Sequence, residues 1–476
     1  MNIVITGGAG FLGARLARAL LARGQLALAG APAQPIACIT LVDQIAPPAD
    51  LAADPRVRAL LGDLNALLAA GATQPVVRAQ DHVVFHLAAA VSGECEADFD
   101  LGMRSNLDTI RGLLQACRNL KTAPTVVFAS SLAVFGNSPE QPMPDVITGG
   151  AGFLGARLAR ALLARGQLAL AGAPAQPIAC ITLVDQIAPP ADLAADPRVR
   201  ALLGDLNALL AAGATQPVVR AQDHVVFHLA AAVSGECEAD FDLGMRSNLD
   251  TIRGLLQACR NLKTAPTVVF ASSLAVFGNS PEQPMPDVIT DTTLPTPQNS
   301  YGIQKFIGEQ LMADYGRKGF VRARNVRLMT VSVRPGKPNG AASSFFSGMI
   351  REPLAGVRAV CPVPPDTAVA LLSPSRTITC LIRCAEASDA EWGARTAINF
   401  PALTTTVAEM AKALEKAAGA QVASLIDWTP DPVISKIVLS WPVRVSADRA
   451  KGLGLLPDAD FASIIDEYLS ENPRKT

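Results

Sequence analysis

The sequence predicts an α/β protein built on a doubly wound parallel sheet, with a smaller mixed α/β region towards its C-terminal end. Three observations predict it. A short β-branched run, Asn2-Ile-Val-Ile-Thr6, passes through a glycine turn into a stretch with helical spacing. Further apolar runs then alternate with helical patterns, as expected of parallel strands joined by crossover helices. The last third carries helix and strand patterns but no glycine turn of its own.

Much of the 476-residue chain is written twice. Residues 4–148 recur letter for letter as residues 146–290, an offset of 142, with Val146-Ile-Thr148 common to both copies. Removing 142 residues leaves 334, one ordinary enzyme-sized unit. Structural repeats have periods of about 20–50 residues and diverge. A period this long without divergence fits a very recent tandem duplication or an error in assembling the gene.

Half the residues are apolar, enough for a sizeable core, and the net charge of −1 gives no reason to expect nucleic acid or an anionic membrane as partner. No uncharged apolar run reaches the length of a membrane span, and the start lacks the basic and apolar regions of a signal peptide. Of nine cysteines, three are counted twice (Cys38, Cys95 and Cys117 recur as Cys180, Cys237 and Cys259), and none forms a Cys-x-x-Cys pair. Cys380 and Cys384, one helical turn apart, read as small core side chains. His82 and His86, the only histidines of the repeated unit, have no cysteine or acidic cluster nearby and read as structural, with no metal expected. All this fits a reduced, cytoplasmic protein.

Taken in order, the first run reads as a strand buried on both faces. It leads into Gly7, Gly10 and Gly13, repeated as Gly149, Gly152 and Gly155, and then into a helix marked by Leu16, Leu20 and Leu21. Strand, glycine turn and helix together make a phosphate site: the glycines admit the pyrophosphate to the backbone, and the helix N-terminus offers free N–H groups. A second strand, Ile39-Thr-Leu-Val-Asp43, ends in an acid, repeated as Asp185. A carboxylate there accepts hydrogen bonds from the adenosine ribose and repels a 2′-phosphate, which argues for NAD over NADP; the alternative is a helix or turn cap. Leu61-Gly-Asp-Leu64, Val83–Ala90 and Thr125–Ser131 continue the alternation, with Asp63 and Ser131 facing the crevice at the strand ends.

The stretch Asn299-Ser-Tyr-Gly-Ile-Gln-Lys305 occurs once. Ser300 reads as an N-cap. Tyr301 and Lys305 are four apart, hence one turn apart on one helix face, while Ile303, Phe306, Ile307 and Leu311 take the other side. The helix therefore reads as buried nearly all round. An ammonium beside a phenol stabilises its ionised form and lowers its pKa, making it a usable general base. Beyond it, Val326–Arg334 reads as a strand running into the Pro/Gly loop Pro335-Gly-Lys-Pro-Asn339. Lys337, Arg351 and Arg376 are either anchors for an anionic substrate or solvated surface charges. Helical patterns at 406–417 and 460–469 and a strand-like run at 396–400 complete the part that shapes the substrate pocket.

Thr148-Gly-Gly-Ala-Gly-Phe-Leu-Gly155, Asp185, Gly204-Asp-Leu206, His228-Leu-Ala-Ala231, Ser272-Ser273 with Val276-Phe-Gly278, and Tyr301-x-x-x-Lys305 together resemble the extended short-chain dehydrogenase/reductases, the NAD-dependent epimerase/dehydratase family. The motifs stand in the family's order over the whole 334-residue unit. More narrowly, Ala271–Gly278, Val333–Asn339, Ala342–Gly348 and Arg351–Leu354 resemble the D-erythronate dehydrogenase group of that family. Many extended members carry tyrosine where Phe277 stands, and another motif where Val333–Asn339 stands, which turns the resemblance away from nucleotide-sugar substrates.

The resemblance implies a Rossmann-type fold, a homodimer, NAD as cofactor and a small sugar acid as substrate, D-erythronate being oxidised at C2 to its 2-oxo acid. It implies Ser273, Tyr301 and Lys305 as the catalytic trio, with Ser131 the first-copy equivalent of Ser273. Cofactor residues would be Gly149, Gly152, Phe153, Leu154, Gly155, Asp185, Asp205, Leu206, Leu229, Ala230 and Ala231, with Tyr301 and Lys305. Their first-copy equivalents are Gly7, Gly10, Phe11, Leu12, Gly13, Asp43, Asp63, Leu64, Leu87, Ala88 and Ala89. Ser234, Ser273, Asn339 and Arg376 would meet the substrate.

The expected organisation is a first dinucleotide-binding half (1–145), a second copy completed by the catalytic helix (146–335) and a substrate-binding region (336–476). Only one copy can be completed by Tyr301. The second has Pro144 and Asp145 at the start of its first strand, and an unpaired buried carboxylate costs several kcal/mol. Pairing the first copy with residues 291–476 instead would close a loop costing about 4–5 kcal/mol. Contiguity favours the second copy. Two other readings stand beside the dehydrogenase: a nucleotide-sugar epimerase or dehydratase, and an inactive NAD-binding product of the duplication.

Overall fold

The computed structural model describes residues 1–28, 31–69, 73–120, 123–129, 145–211, 214, 216–221, 223–280, 282–336 and 343–473. The chain forms two compact units, Met1–Gly136 and Asn137–Thr476.

The first unit holds strands β1 (Asn2–Thr6), β2 (Cys38–Asp43), β3 (Val57–Leu61), β4 (Val83–His86) and β5 (Thr125–Phe128) in one sheet of order β3-β2-β1-β4-β5. Every pairing is parallel. Because strand side chains alternate between faces, Ile3, Ile5, Ile39 and Leu41 pack on one side against Ala14, Ala17 and Leu20 of α1 (Phe11–Arg23). Val4, Val42 and Val84 pack on the other against Leu113 and Cys117 of α2 (Thr109–Asn119). The continuous apolar runs of the sequence are the mark of this double covering.

The second unit repeats the pattern and extends it. Its sheet runs β8-β7-β6-β9-β10-β11, with β6 (Val146–Thr148), β7 (Ile181–Asp185), β8 (Val199–Leu203), β9 (Val225–His228), β10 (Thr267–Ser273) and β11 (Arg322–Leu328), and ends on the short strand Ile398–Asn399. All pairings are again parallel. The order reverses between β6 and β9, so a crevice opens there beyond the strand ends. Helix α3 (Phe153–Arg165) follows β6, and α4 (Ser300–Arg317) leads into β11. A short strand, β12 (Thr330–Val331), leaves the main sheet to pair with Ala368–Leu372, and α5 (Ser344–Leu354) follows. A second core gathers Phe346, Met349 and Ile350 of α5 with Met410, Leu414, Ile464 and Ile465 from the C-terminal helices.

Three expectations need correction. The N-cap of α4 is Asn299, whose Oδ1 accepts from Gly302 N at 2.8 Å, and not Ser300. The helix is not buried all round, since Ile303 is 45% exposed while Lys305, Glu309 and Met312 are buried. The strand expected at Val326–Arg334 begins earlier, at Arg322, and breaks after Leu328. Its charged start hid it. Arg322 and Arg324 are buried because Asp389 accepts from both, at 2.7 Å and 2.5 Å.

Identical residues meet different surroundings in the two units. Phe128 is 53% exposed, whereas its twin Phe270 is fully buried. In the second unit β10 pairs with β11 over seven residues, and a Cβ on Gly308 of α4 would come within 2.6 Å of the Phe270 ring. The first strands differ as well. β1 has five residues and β6 three, because Asp145 stands where Ile3 stands in the first copy. Burial, reinforced by the negative charge of Asp223, pushes the Asp145 carboxyl up to about 7.

Candidate active site

The crevice beyond β6 and β9 widens into a cavity of about 990 Å³, lined by residues of the second unit. The glycine turn forms its floor. Gly149 has φ +69° and closes on Ala230 N, where a Cβ would stand at 2.9 Å, and a Cβ on Gly155 would collide with the Gly149 carbonyl oxygen. Both glycines are therefore demanded by geometry, and the free N–H groups of α3 open on the cavity. Gly152, Phe153 and Leu154 line the same wall.

Asp185, at the end of β7, accepts from Ala151 N at 3.0 Å and from Gln186 N at 2.7 Å. Ile187 N is a third donor to it at 3.4 Å; a carboxylate has about four acceptor positions, so capacity remains for a ribose hydroxyl. Asp205 caps the next helix, accepting from Ala208 N at 3.0 Å, and lines the cavity with Leu206. Leu229, Ala230 and Ala231 complete this half. A glycine cradle at a helix N-terminus, with a carboxylate at the neighbouring strand end, fits a dinucleotide.

The other half of the cavity holds Ser234, Ser273, Tyr301 and Lys305. Ser273 ends β10 and accepts from Ala275 N at 3.1 Å, and it lines the same cavity as Tyr301. Lys305 is 2% exposed; its Nζ donates to Ala271 O at 2.8 Å and lies 5.6 Å from the centre of the Tyr301 ring. Burial pushes this ammonium down to about 8. The Tyr301 phenol is not lowered as expected. Burial pushes it up to about 12, against the opposing pull of the Ser273 hydrogen bond and the charge of Arg334. Desolvation wins because the phenol is removed from water while no anion-stabilising charge touches its oxygen.

Below the trio, Ser272 Oγ donates to Glu309 Oε1 at 2.6 Å, and Arg327 grips the same carboxylate through Nε at 2.9 Å and Nη2 at 2.7 Å. Asn248, in a π-helical turn at Met245–Asp250, is 1% exposed. It donates to Ala232 O at 3.1 Å and Gln304 Oε1 at 2.9 Å and accepts from Ala232 N at 2.8 Å, tying the loop after β9 to α4. His228 is structural: Thr148 Oγ1 holds its Nδ1 at 2.7 Å, and burial pushes it down to about 3.

Arg376 is not part of this cavity. Its side chain is 49% exposed, in the first turn of Pro374–Glu386, with Nε 4.0 Å from Asp458. Arg351 is engaged elsewhere, donating to Arg334 O at 2.7 Å and Glu352 at 2.5 Å. Asn339 and Lys337 lie outside the described residues, as does Ser131. Besides Lys305, the cavity is lined by one further cation among the described residues, Arg334, which the sequence reading passed over as the end of a strand. Its position just before a Pro/Gly loop was the one available signal. Asn248 carried none, since a π-turn has no sequence mark. In the first unit the glycine turn and acids keep their local geometry: Gly7 has φ +67°, Asp43 accepts from Ala9 N at 2.9 Å and Asp63 from Ala66 N at 2.9 Å. There Phe11 and Leu12 are 74% and 63% exposed.

Comparison with known proteins adds the following. The sequence model described as "NAD dependent epimerase/dehydratase family" matches residues 3–145 and again 146–366. A D-erythronate dehydrogenase of Cupriavidus necator is 48% identical over 331 residues, spanning 69% of this chain and 98% of that protein. A D-erythronate dehydrogenase of Haemophilus influenzae is 38% identical, spanning 69% and 99%. Among solved structures, one described as a nucleoside-diphosphate-sugar epimerase from Agrobacterium tumefaciens is 39% identical with a TM-score of 0.63, covering 72% of this chain and 97% of that one.

Proposed function

The chain belongs to the NAD dependent epimerase/dehydratase family, and on that premise we propose that residues 146–476 work as a dehydrogenase oxidising a small sugar acid, D-erythronate, at C2 to its 2-oxo acid. The cofactor is a nicotinamide dinucleotide, and Asp185 at the ribose position favours NAD over NADP. Relatives that share 48% and 38% identity over nearly their full length are named for this reaction. The observation that carries the reading is the convergence of Ser273, Tyr301 and Lys305 in the cavity that also holds the glycine turn.

In the proposed reaction Ser273 and Tyr301 hold the substrate hydroxyl, and Tyr301, as the phenolate left once its own proton has gone to solvent, accepts the hydroxyl proton as the carbonyl forms. A bound oxidised nicotinamide would supply the hydride acceptor for C2, with the glycine turn, Asp185 and Lys305 as the residues that would hold the dinucleotide. Lys305 has one acceptor, Ala271 O, among the described residues, which leaves ammonium protons for ribose hydroxyls. The protein's contribution is placement of the hydroxyl between acceptor and base. A homodimer in the cytoplasm belongs to the same proposal; no described helix is long and apolar enough to cross a membrane.

The test is formation of reduced nicotinamide on mixing the chain with NAD and D-erythronate. Tyr301→Phe should lower the rate by about 10²–10⁴-fold. Interconversion of a nucleotide sugar without net NADH would favour the epimerase reading suggested by the Agrobacterium structure's name. NAD binding without turnover of either substrate would favour an inactive product of the duplication.

A further inference from the structure

The position of Arg334 says which hydroxyl of the substrate can react. It lines the cavity, and its Nη2 is buried with no hydrogen-bond partner among the described residues. A buried guanidinium proton without an acceptor costs free energy unless a ligand supplies one. The backbone that carries it is clamped from both sides. Arg334 N donates to the buried Ser347 Oγ at 3.0 Å, and Arg334 O accepts from Arg351 Nη1 at 2.7 Å. Ser347 and Arg351 both belong to α5, so the guanidinium sits on a rigid element rather than on a free loop.

Two further facts fix the kind of ligand. Arg351 stands close enough for its charge to oppose that of Arg334, but Arg351 is itself paired with Glu352, so the charge left for an anion is that of Arg334. Arg334 lines the same cavity as Tyr301, and its positive charge acts to lower the phenol's pKa. In a 2-hydroxy acid the carboxylate is one bond from the carbon that loses hydride. A cation that binds this carboxylate must share the cavity with the base, and Arg334 does. Arg376, half exposed beside Asp458, does not.

We propose that Arg334 is the carboxylate anchor of the substrate site, and that it restricts oxidation to the hydroxyl adjacent to a carboxylate. The inference rests on the sugar-acid reading above and deepens it by naming the residue that would confine attack to C2. A charge-assisted hydrogen bond from a planar guanidinium gives both affinity and orientation.

The experiment compares D-erythronate with its uncharged amide, D-erythronamide, in wild type, Arg334→Lys and Arg334→Met, alongside NADH binding followed by fluorescence. In Arg334→Met, kcat/KM for the acid should fall at least about 100-fold. The value for the amide should fall at least about tenfold less than that for the acid, with NADH affinity unchanged. Arg334→Lys should recover part of the loss, since charge returns without the fork. Equal losses on acid and amide would overturn the proposal, as would an undiminished rate on the acid. If the wild type oxidises no sugar acid, the functional reading fails by itself. The anchor is then read by titrating oxalate into the NADH-bound protein: binding that Arg334→Met loses supports it, and binding that survives overturns it.

Discussion

Asp145 is the place where the duplicated sequence meets a fold that wants something else. It occupies the position of Ile3, which is fully buried in the first unit and pairs with both Ile39 and Val83. Its carboxyl is pushed from 3.8 to about 7, by burial first and by Asp223 second. The unfolded carboxyl titrates near about 3.9, so as pH rises the unfolded chain releases this proton first. Stability is therefore full below about pH 4, falls as pH rises towards 7, and stays low above. A shift of this size corresponds to about 4 kcal/mol, and partial exposure of the residue screens it to about 2–4 kcal/mol. Asp145→Asn should stabilise the second unit by that amount near pH 8.5, and by less than about 1.5 kcal/mol near pH 5. Asp145→Ile should add about 1.5–3 kcal/mol at both pH values by burying an apolar side chain. Urea unfolding followed by tryptophan fluorescence is the assay, because Trp392, Trp428 and Trp441, the only tryptophans, all lie in the second unit. An equal gain from Asp145→Asn at both pH values, or none near pH 8.5, would refute the reasoning.

Three other outcomes are expected. Lys305 is pushed down to about 8 by burial, so wild-type stability should rise between about pH 8 and 10.4 as the folded chain sheds this proton before the unfolded one. Lys305→Met should lack that rise in the same unfolding assay. Asp185→Asn should lower kcat/KM with NAD by roughly tenfold and raise that with NADP, because the carboxylate that repels a 2′-phosphate is gone; an unchanged cofactor ratio would count against its ribose role. Glu309→Gln leaves the buried guanidinium of Arg327 without its counter-charge and should destabilise the second unit by about 3–5 kcal/mol in urea.

Much of the site was legible because its chemistry is local. A glycine at positive φ, an acid ending a strand and a tyrosine four residues before a lysine are all short-range patterns. The helix starting near Tyr301 was equally readable, apart from its cap and its exposed Ile303. Arg322 and Arg324 concealed a strand because charge argues for surface until Asp389 is seen beside them. Arg334 and Asn248 were missed because their roles depend on what faces them from α5, from α4 and across the cavity.

The sequence by itself determined the α/β class, the dinucleotide cradle, and the count of candidate active sites: one, since Tyr301-x-x-x-Lys305 occurs once. Beyond contiguity, which favoured the second copy, it did not separate the two, whose identical residues have identical local preferences. Only tertiary structure did that. Gly308 laid against Phe270, β11 paired along β10 and Asn248 bonded to Gln304 give the second copy its buried face and its cavity. The reason is physical: local sequence decides which elements form, and long-range contacts decide which surfaces leave water.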